Sequence, residues 1–110
     1  MSLDLVSLGE MMLRLSPPRF ERLRRAASFD VRPCGAQFNV AANLACLGKK
    51  ARFISKLPDN DLGYLARSLA ESYGVDMSCV RFGGRPKIGM VFVEYSAAPR
   101  RMVHIYDREG

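Results

Sequence analysis

No stretch of about 18 consecutive apolar residues occurs anywhere in the sequence, which excludes a membrane-spanning helix. No basic segment leads into an apolar run near the start, which argues against a secretory leader. The cysteines, Cys34, Cys46 and Cys79, are 3 in number and lack the paired spacings of zinc or redox sites. Free thiols in a reducing compartment, the cytoplasm, are therefore expected. No P-loop is present, the glycine spacing around Gly35 fails the dinucleotide fingerprint, and no nucleophile is joined by a partnered base. The lone histidine, His104, has neither acid nor nucleophile near it in sequence and is expected on a surface or lid rather than in catalysis. Asp59 and Asp61 invite a metal or acid–base reading, but their place just before a helix assigns them to turn and capping duty. Neither a catalytic residue nor a metal ligand set is expected within the chain. Internal repeats and low-complexity tracts are also lacking.

What is present is ordinary for a folded chain: 110 residues, 48% hydrophobic and 25% charged. A chain of this length forms one core and buries roughly two-thirds of its unfolded surface. The net charge is +6 and the pI about 9.7. Its dense basic run is Arg19-Phe20-Glu21-Arg22-Leu23-Arg24-Arg25, and the other arginines are scattered singly or in pairs. Without a reader motif beside it, such charge implies solvated faces and a few anion contacts rather than a nucleic-acid stripe. DNA or RNA binding through Arg19–Arg25 remains the weaker alternative.

Leu3–Leu8, ending at Gly9, has the mostly apolar form of a central parallel strand covered on both faces. Glu10–Leu15 is extended in character and stops at Ser16-Pro17-Pro18, and Ala27–Arg32 is a further short strand candidate. Val40, Ala41, Leu44, Ala45 and Leu47 recur at helical spacing over Gln37–Leu47. Phe38, Ala42 and Cys46 make the other side apolar too, so this helix is expected to be buried, with Gly48 as its left-handed stop. Arg52–Leu57 predicts a strand. After the turn Pro58–Asp61, residues Leu62, Leu65, Ala66, Leu69 and Tyr73 form the apolar stripe of a second helix that stops at Gly74. Another extended stretch runs from Val75 through Phe82. The alternation of strand and helix predicts an α/β fold with βαβ units in a parallel sheet. Lys87–Tyr95 and Arg101–Arg108, joined by Ser96–Arg100, read instead as an antiparallel hairpin, so two structural parts are expected.

Two segments carry candidate chemistry. In Cys34-Gly35-Ala36-Gln37-Phe38-Asn39 a strand turns into a helix through glycine, which lets backbone approach a ligand where the first helical turn has free N–H donors. Asn39, both donor and acceptor, suits a hydroxyl; a plain glycine turn whose asparagine serves local backbone explains these residues equally well. Further on, strand alternation puts His104, Tyr106 and Arg108 on one face and Val103 and Ile105 on the other. Arg108 is suited to a carboxylate and Tyr106 to a carbon chain with a hydroxyl beyond it, against the alternative of a solvated outer face.

Taken together, several segments carry a resemblance: Leu8–Pro17, Cys34–Ala41 with Leu47-Gly48, Leu57–Gly63, Gly74-Val75-Asp76 and Tyr106–Gly110. In this order and spacing they resemble the ribokinase-like (PfkB) sugar kinases, and within them the 2-keto-3-deoxygluconate kinases, over nearly the whole chain. The resemblance implies a ribokinase-like fold, a larger α/β domain of βαβ parallel units with a small antiparallel β lid. Residues 1–110 would be the N-terminal part of one such domain, with lid strands drawn from about 10–33 and 85–108 and the C-terminal ATP-binding half absent. By the same resemblance Gly35, Ala36, Gln37, Phe38 and Asn39 would line a sugar site from the large domain. Tyr106, Asp107 and Arg108 would reach it from the lid. Cys34 stands where the family usually has a glycine, Pro58 where many relatives have one, and Val91 near a position often aromatic.

The implied parent activity is ATP-dependent phosphorylation of 2-keto-3-deoxygluconate or a related sugar, with Mg²⁺. The family's Gly-Ala-Gly-Asp motif, whose aspartate deprotonates the sugar hydroxyl, does not occur in these 110 residues. The expectation is therefore a sugar-binding chain without a cofactor of its own and without kinase activity by itself, since phosphoryl transfer depends on positioned charge stabilisation. Its partners would be a sugar or sugar acid and a second copy joined through the lid. The rival from another class is a lid-mediated oligomer or interaction module that takes no ligand.

Overall fold

A proline inside a sheet removes one ladder donor and is tolerated only at an edge, and Pro33 is found at one. The computed structural model describes residues 2–84, 87–95 and 102–108. Pro33 belongs to Asp30–Cys34 (β3), the outer strand of a four-stranded sheet in the order β3-β2-β7-β8. Its neighbours are Met12–Ser16 (β2), Gly89–Glu94 (β7) and Val103–Asp107 (β8). The β2–β3 and β7–β8 pairs are antiparallel, while β2 and β7 run parallel. The expected hairpin thus forms, although its connection at Ser96–Arg100 lies outside the described residues. The strand expected at Ala27–Arg32 lies three residues later at its start, because its ladder begins at Ser16↔Asp30, where β2 runs into Pro17.

The second part is parallel. Leu5–Leu8 (β1) pairs with Ala51–Ile54 (β4) in register Leu5↔Ala51 through Leu8↔Ile54. Lys56–Leu57 (β5) pairs with Arg81–Phe82 (β6), and between them Phe53 N–H donates to Asp76 O at 3.0 Å and Asp76 N–H to Ala51 O at 2.9 Å. The chain is therefore α/β with a parallel sheet and a mixed one, as the alternation of strand and helix predicts. Ala36–Cys46 (α1) covers one face of β1 and β4, and there Phe38 meets Phe53 edge to face with ring centroids 5.5 Å apart. With Leu13, Leu57 and Ile88 these rings form the centre of the core. Full burial of such a ring is worth roughly 1.5–3 kcal/mol.

Three expectations about burial are corrected in whole or in part. Among the described residues β1 is covered on one face only, leaving Val6 and Leu8 exposed, and α1 leaves Val40, Cys46 and Leu47 exposed rather than buried all round. In Asp61–Ser72 (α2) the buried residues are Gly63, Ala66 and Ala70; Ala66, Leu69 and Tyr73 of the expected stripe meet the core, while Leu62 and Leu65 are exposed. The cause is a close approach: a Cβ on Gly63 would lie 2.0 Å from the Pro58 carbonyl oxygen. Small residues let the helix settle on that carbonyl, and its apolar stripe turns accordingly. Asn60 caps α2 by accepting the Gly63 N–H at 3.0 Å, while Asp61 lies in the first turn, where the helix dipole favours negative charge. Gly48 and Gly74 follow the two helices with φ of 84° and 89°, the left-handed stops expected of them.

Gly63→Ala is expected to destabilise the fold by about 3 kcal/mol through backbone overlap, against about 1 kcal/mol for Asn60→Ala, which loses only the cap; urea unfolding of both variants checks the order. A further test concerns Asp76, whose carboxylate accepts from Ser78 N–H and from Arg52 Nε at 2.8 Å. The bonds from Ser78 first, and then from Arg52, hold its pKa down to about 2 from 3.8. A depressed acid stabilises the fold fully above its unfolded pKa, and the contribution disappears as pH falls from about 4 through 2. The pair is a third exposed, so solvent screening leaves no more than about 1 kcal/mol. Asp76→Asn should flatten that acid limb of a stability–pH curve, and an unchanged limb would contradict the assignment.

Candidate functional site

Alternation and register decide which side chains share a face of the four-stranded sheet. Met12, Arg14 and Ser16 of β2 lie level with Cys34, Arg32 and Asp30 of β3. On the other side Arg14 is level with Val91, and Val91 with Tyr106; one pair further along, Val93 is opposite His104. This face meets the beginning of α1 in an open groove of about 350 Å³, lined by Arg14, Asn39, Val91, Tyr95, His104 and Tyr106 among others. Met12, Cys34, Gly35, Ala36 and Val93 complete its wall.

Gly35 makes the meeting of sheet and helix possible. Its φ is 135°, a conformation that disfavours side chains, and a Cβ there would lie 2.5 Å from the Glu10 carbonyl oxygen. The chain turns from β3 into α1 with no room for any other residue. Gly35 O accepts the Asn39 N–H at 2.7 Å, closing the first helical turn and leaving the earlier N–H groups directed out of the helix. Among the described residues the Asn39 side-chain amide makes no hydrogen bond, and it faces the groove. Of the residues predicted from this segment, Gly35, Ala36 and Asn39 therefore line the groove.

Gln37 and Phe38 do not line it. Phe38 is wholly buried in the core because its position on the helix points at β4, where it meets Phe53. Gln37 folds back over Gly9, and its carbonyl accepts the Ser7 hydroxyl at 3.1 Å. The predicted trio at the end of β8 and just beyond it divides as well. Tyr106 lines the groove with its ring stacked near His104, centroids 6.5 Å apart. Asp107, one residue on, projects to the other face, where Lys87 Nζ lies 2.6 Å from its carboxylate. Arg108 returns to the groove face and passes beside Gly89 to form an ion pair with Glu10. A carboxylate does meet Arg108, and it comes from the chain itself.

Arg14, Tyr95 and His104 were missed as lining residues by sequence reasoning. For Arg14 and Tyr95 no local signal could have found them, since only the strand register brings β2 and β7 to this wall. His104 had the signal, being two residues from Tyr106 on one strand face. Cys34 sits under the groove, and burial raises its thiol pKa, with Arg14 acting in the opposite sense. Among the described residues no group of three or more His, Cys, Asp or Glu lies together, and no helix is long and apolar enough to cross a membrane.

A mixed sheet thus faces the start of a helix across a groove to which both sides contribute polar side chains. The model of the pfkB family carbohydrate kinases matches residues 2–109, and the chain belongs to that family. It is 41% identical over 108 residues to a 2-dehydro-3-deoxygalactonokinase of Haloferax volcanii, covering 98% of this chain and 34% of that one. A rice fructokinase-1 is 33% identical over 92% of the chain and 32% of its own length. Among solved structures, the 2-dehydro-3-deoxygluconokinase of Thermotoga maritima superposes with a TM-score of 0.89 at 43% identity, over 97% of this chain and 32% of that one. A putative 2-keto-3-deoxygluconate kinase of Enterococcus faecalis also gives 0.89, at 30% identity, over 97% and 31%. The chain spans about a third of the length of the relatives it matches.

The burial of Cys34 predicts an order of thiol reactivity. Cys46 and Cys79, both exposed, should be alkylated first at pH 8, with Cys34 slower by at least about tenfold because the thiolate is the reacting form. Peptide mapping after timed iodoacetamide treatment reads the order, and equal rates at all three would mean the wall of the groove is open.

Proposed function

We propose that this chain is the sugar-binding N-terminal part of a cytoplasmic carbohydrate kinase whose whole form phosphorylates 2-keto-3-deoxygluconate or a closely related sugar acid. The observation that carries the reading is the groove in which Gly35, Ala36 and Asn39 on one side face Tyr106 on the other. The Asn39 amide and the free N–H groups of the first helical turn suit sugar hydroxyls, and the Tyr106 ring suits the carbon chain between them. Gln37 and Phe38 fix the backbone of the turn, and Asp107 fixes the end of β8 through Lys87. The four-stranded sheet acts as the lid. Arg108 is already committed to Glu10, so an acid substrate must displace that carboxylate or meet another cation.

Family membership implies ATP and Mg²⁺ for a full-length parent. Among the described residues no three His, Cys, Asp or Glu lie together, and no Gly-Ala-Gly-Asp occurs in the 110 residues. Their contribution is to bind and orient a sugar, and by themselves they transfer no phosphate. A second reading, self-association through the lid, has one observation in its favour. The edge strand β8 leaves Val103 and Ile105 exposed on the face away from the groove, beside an unpaired ladder edge.

Incubated with ATP, Mg²⁺ and 2-keto-3-deoxygluconate, the chain should give no detectable phosphorylated product, and measurable turnover would defeat the claim that it only binds. Calorimetric titration should detect weak sugar binding that Tyr106→Ala lowers by roughly tenfold, about 1.4 kcal/mol. Light scattering should give the same mass with and without sugar, and a mass of two chains supports the lid contact.

A further inference from the structure

Arg14 and Arg32 stand directly opposite one another across the antiparallel β2–β3 pair, both on the groove face. Side chains so placed have Cβ atoms roughly 4.5–5.5 Å apart, a spacing at which like charges destabilise the pair. Among the described residues neither guanidinium has an ion pair. The carboxylates that could relieve them are otherwise placed. Glu10 is with Arg108, and Glu94 lies on the opposite face and accepts the Leu23 N–H at 2.8 Å. Asp30, the one carboxylate lining the adjoining hollow of about 250 Å³, bonds to neither arginine. Arg14 carries a second penalty, because its Nε is buried without a hydrogen-bond partner. A half-buried guanidinium whose Nε is shut off from water with no acceptor, and which faces a like charge, is arranged for an anion that arrives from outside.

The position of Arg14 says which anion. It lines both the groove and the hollow beyond it, and it stands in one cross-strand row with Val91 and Tyr106. Val91, a short side chain, stands in that row between the two and lines the groove with them. We infer that Arg14, seconded by Arg32, receives the carboxylate of a sugar acid lying along that row and thereby selects acids over neutral sugars. This rests on the reading of the groove as the sugar site. The planar guanidinium can give a carboxylate two parallel N–H bonds, and the arriving charge cancels the repulsion between the two arginines. Arg14 is a specificity residue, distinct from Arg108, whose charge the chain itself neutralises.

The experiment titrates the chain and its Arg14→Gln, Arg14→Lys and Arg108→Gln variants with 2-keto-3-deoxygluconate, with fructose and with inorganic phosphate, and follows melting temperature alongside. The unsubstituted chain should prefer the acid to fructose by at least about tenfold. Arg14→Gln should lose about 10- to 100-fold in affinity for the acid while its affinity for fructose stays within about twofold. Without ligand this variant should melt at or above the parent temperature, because a like charge has been removed, and the rise in melting temperature caused by the acid should disappear. Arg14→Lys, which keeps the charge without the fork, should fall between the two and serves if Arg14→Gln does not fold. Loss of acid preference in Arg108→Gln but not in the Arg14 variants overturns the inference. So does loss of phosphate binding alone in Arg14→Gln, which would assign the guanidinium to a phosphoryl group. Equal affinity of the unsubstituted chain for acid and fructose overturns the inference but leaves the groove as a sugar site, whereas binding of neither overturns both.

Discussion

The contact on which the rest of the structure depends is the approach of Gly35 to the backbone of Glu10. A Cβ at Gly35 would lie 2.5 Å from the Glu10 carbonyl oxygen, so the connection from β1 into β2 and the start of α1 are in backbone contact. That contact fixes three things at once. It sets the first turn of α1 against the face of the mixed sheet and brings Asn39 opposite Tyr106. It also puts Glu10 where Arg108 can reach it. The positive φ of 135° that the turn requires is one that only glycine adopts without strain.

Charge is distributed unequally over the sheet that the helix faces. Asp107 is matched by Lys87 on the far face, and Glu94 there is satisfied by a backbone N–H. On the near face Arg108 is matched by Glu10, while Arg14 and Arg32 oppose one another with no ion pair among the described residues. Two opposed arginines left without an ion pair beside the groove give that part of the sheet an electrostatic reason to hold an anion. The net charge of +6 is thus less informative than the placement of two of its arginines.

Much of the fold was legible before any coordinates. The switch from strand–helix alternation to two adjacent β-rich runs predicts two kinds of sheet, and both are found. Gly48 and Gly74 end the helices they were expected to end, because a left-handed residue after a helix leaves few alternatives to glycine. Legibility failed where a close approach overrode periodicity. Of the apolar stripe of α2, Ala66, Leu69 and Tyr73 do meet the core, yet the contact of Gly63 with the Pro58 carbonyl turns the helix so that Gly63 and Ala70 are buried and Leu62 and Leu65 are exposed. It failed again on α1, where apolar residues on both sides imply burial all round but Val40 and Leu47 are exposed.

For the candidate site the division follows from the range of the forces involved. The sequence by itself determined the local pieces: a glycine turn into a helix, an asparagine in its first turn, and a strand carrying Tyr106 and Arg108 on one face, all of which depend on the chemistry of neighbouring residues and on periods of 3.6 and 2. Tertiary structure alone decided that Phe38 is core, that Arg108 is held by Glu10 98 positions away, and that Arg14 meets Arg32 across a ladder. Register between strands is set by packing of whole faces and by the turn at Gly35, and a shift of one residue would have put Arg14 on the other side of the sheet.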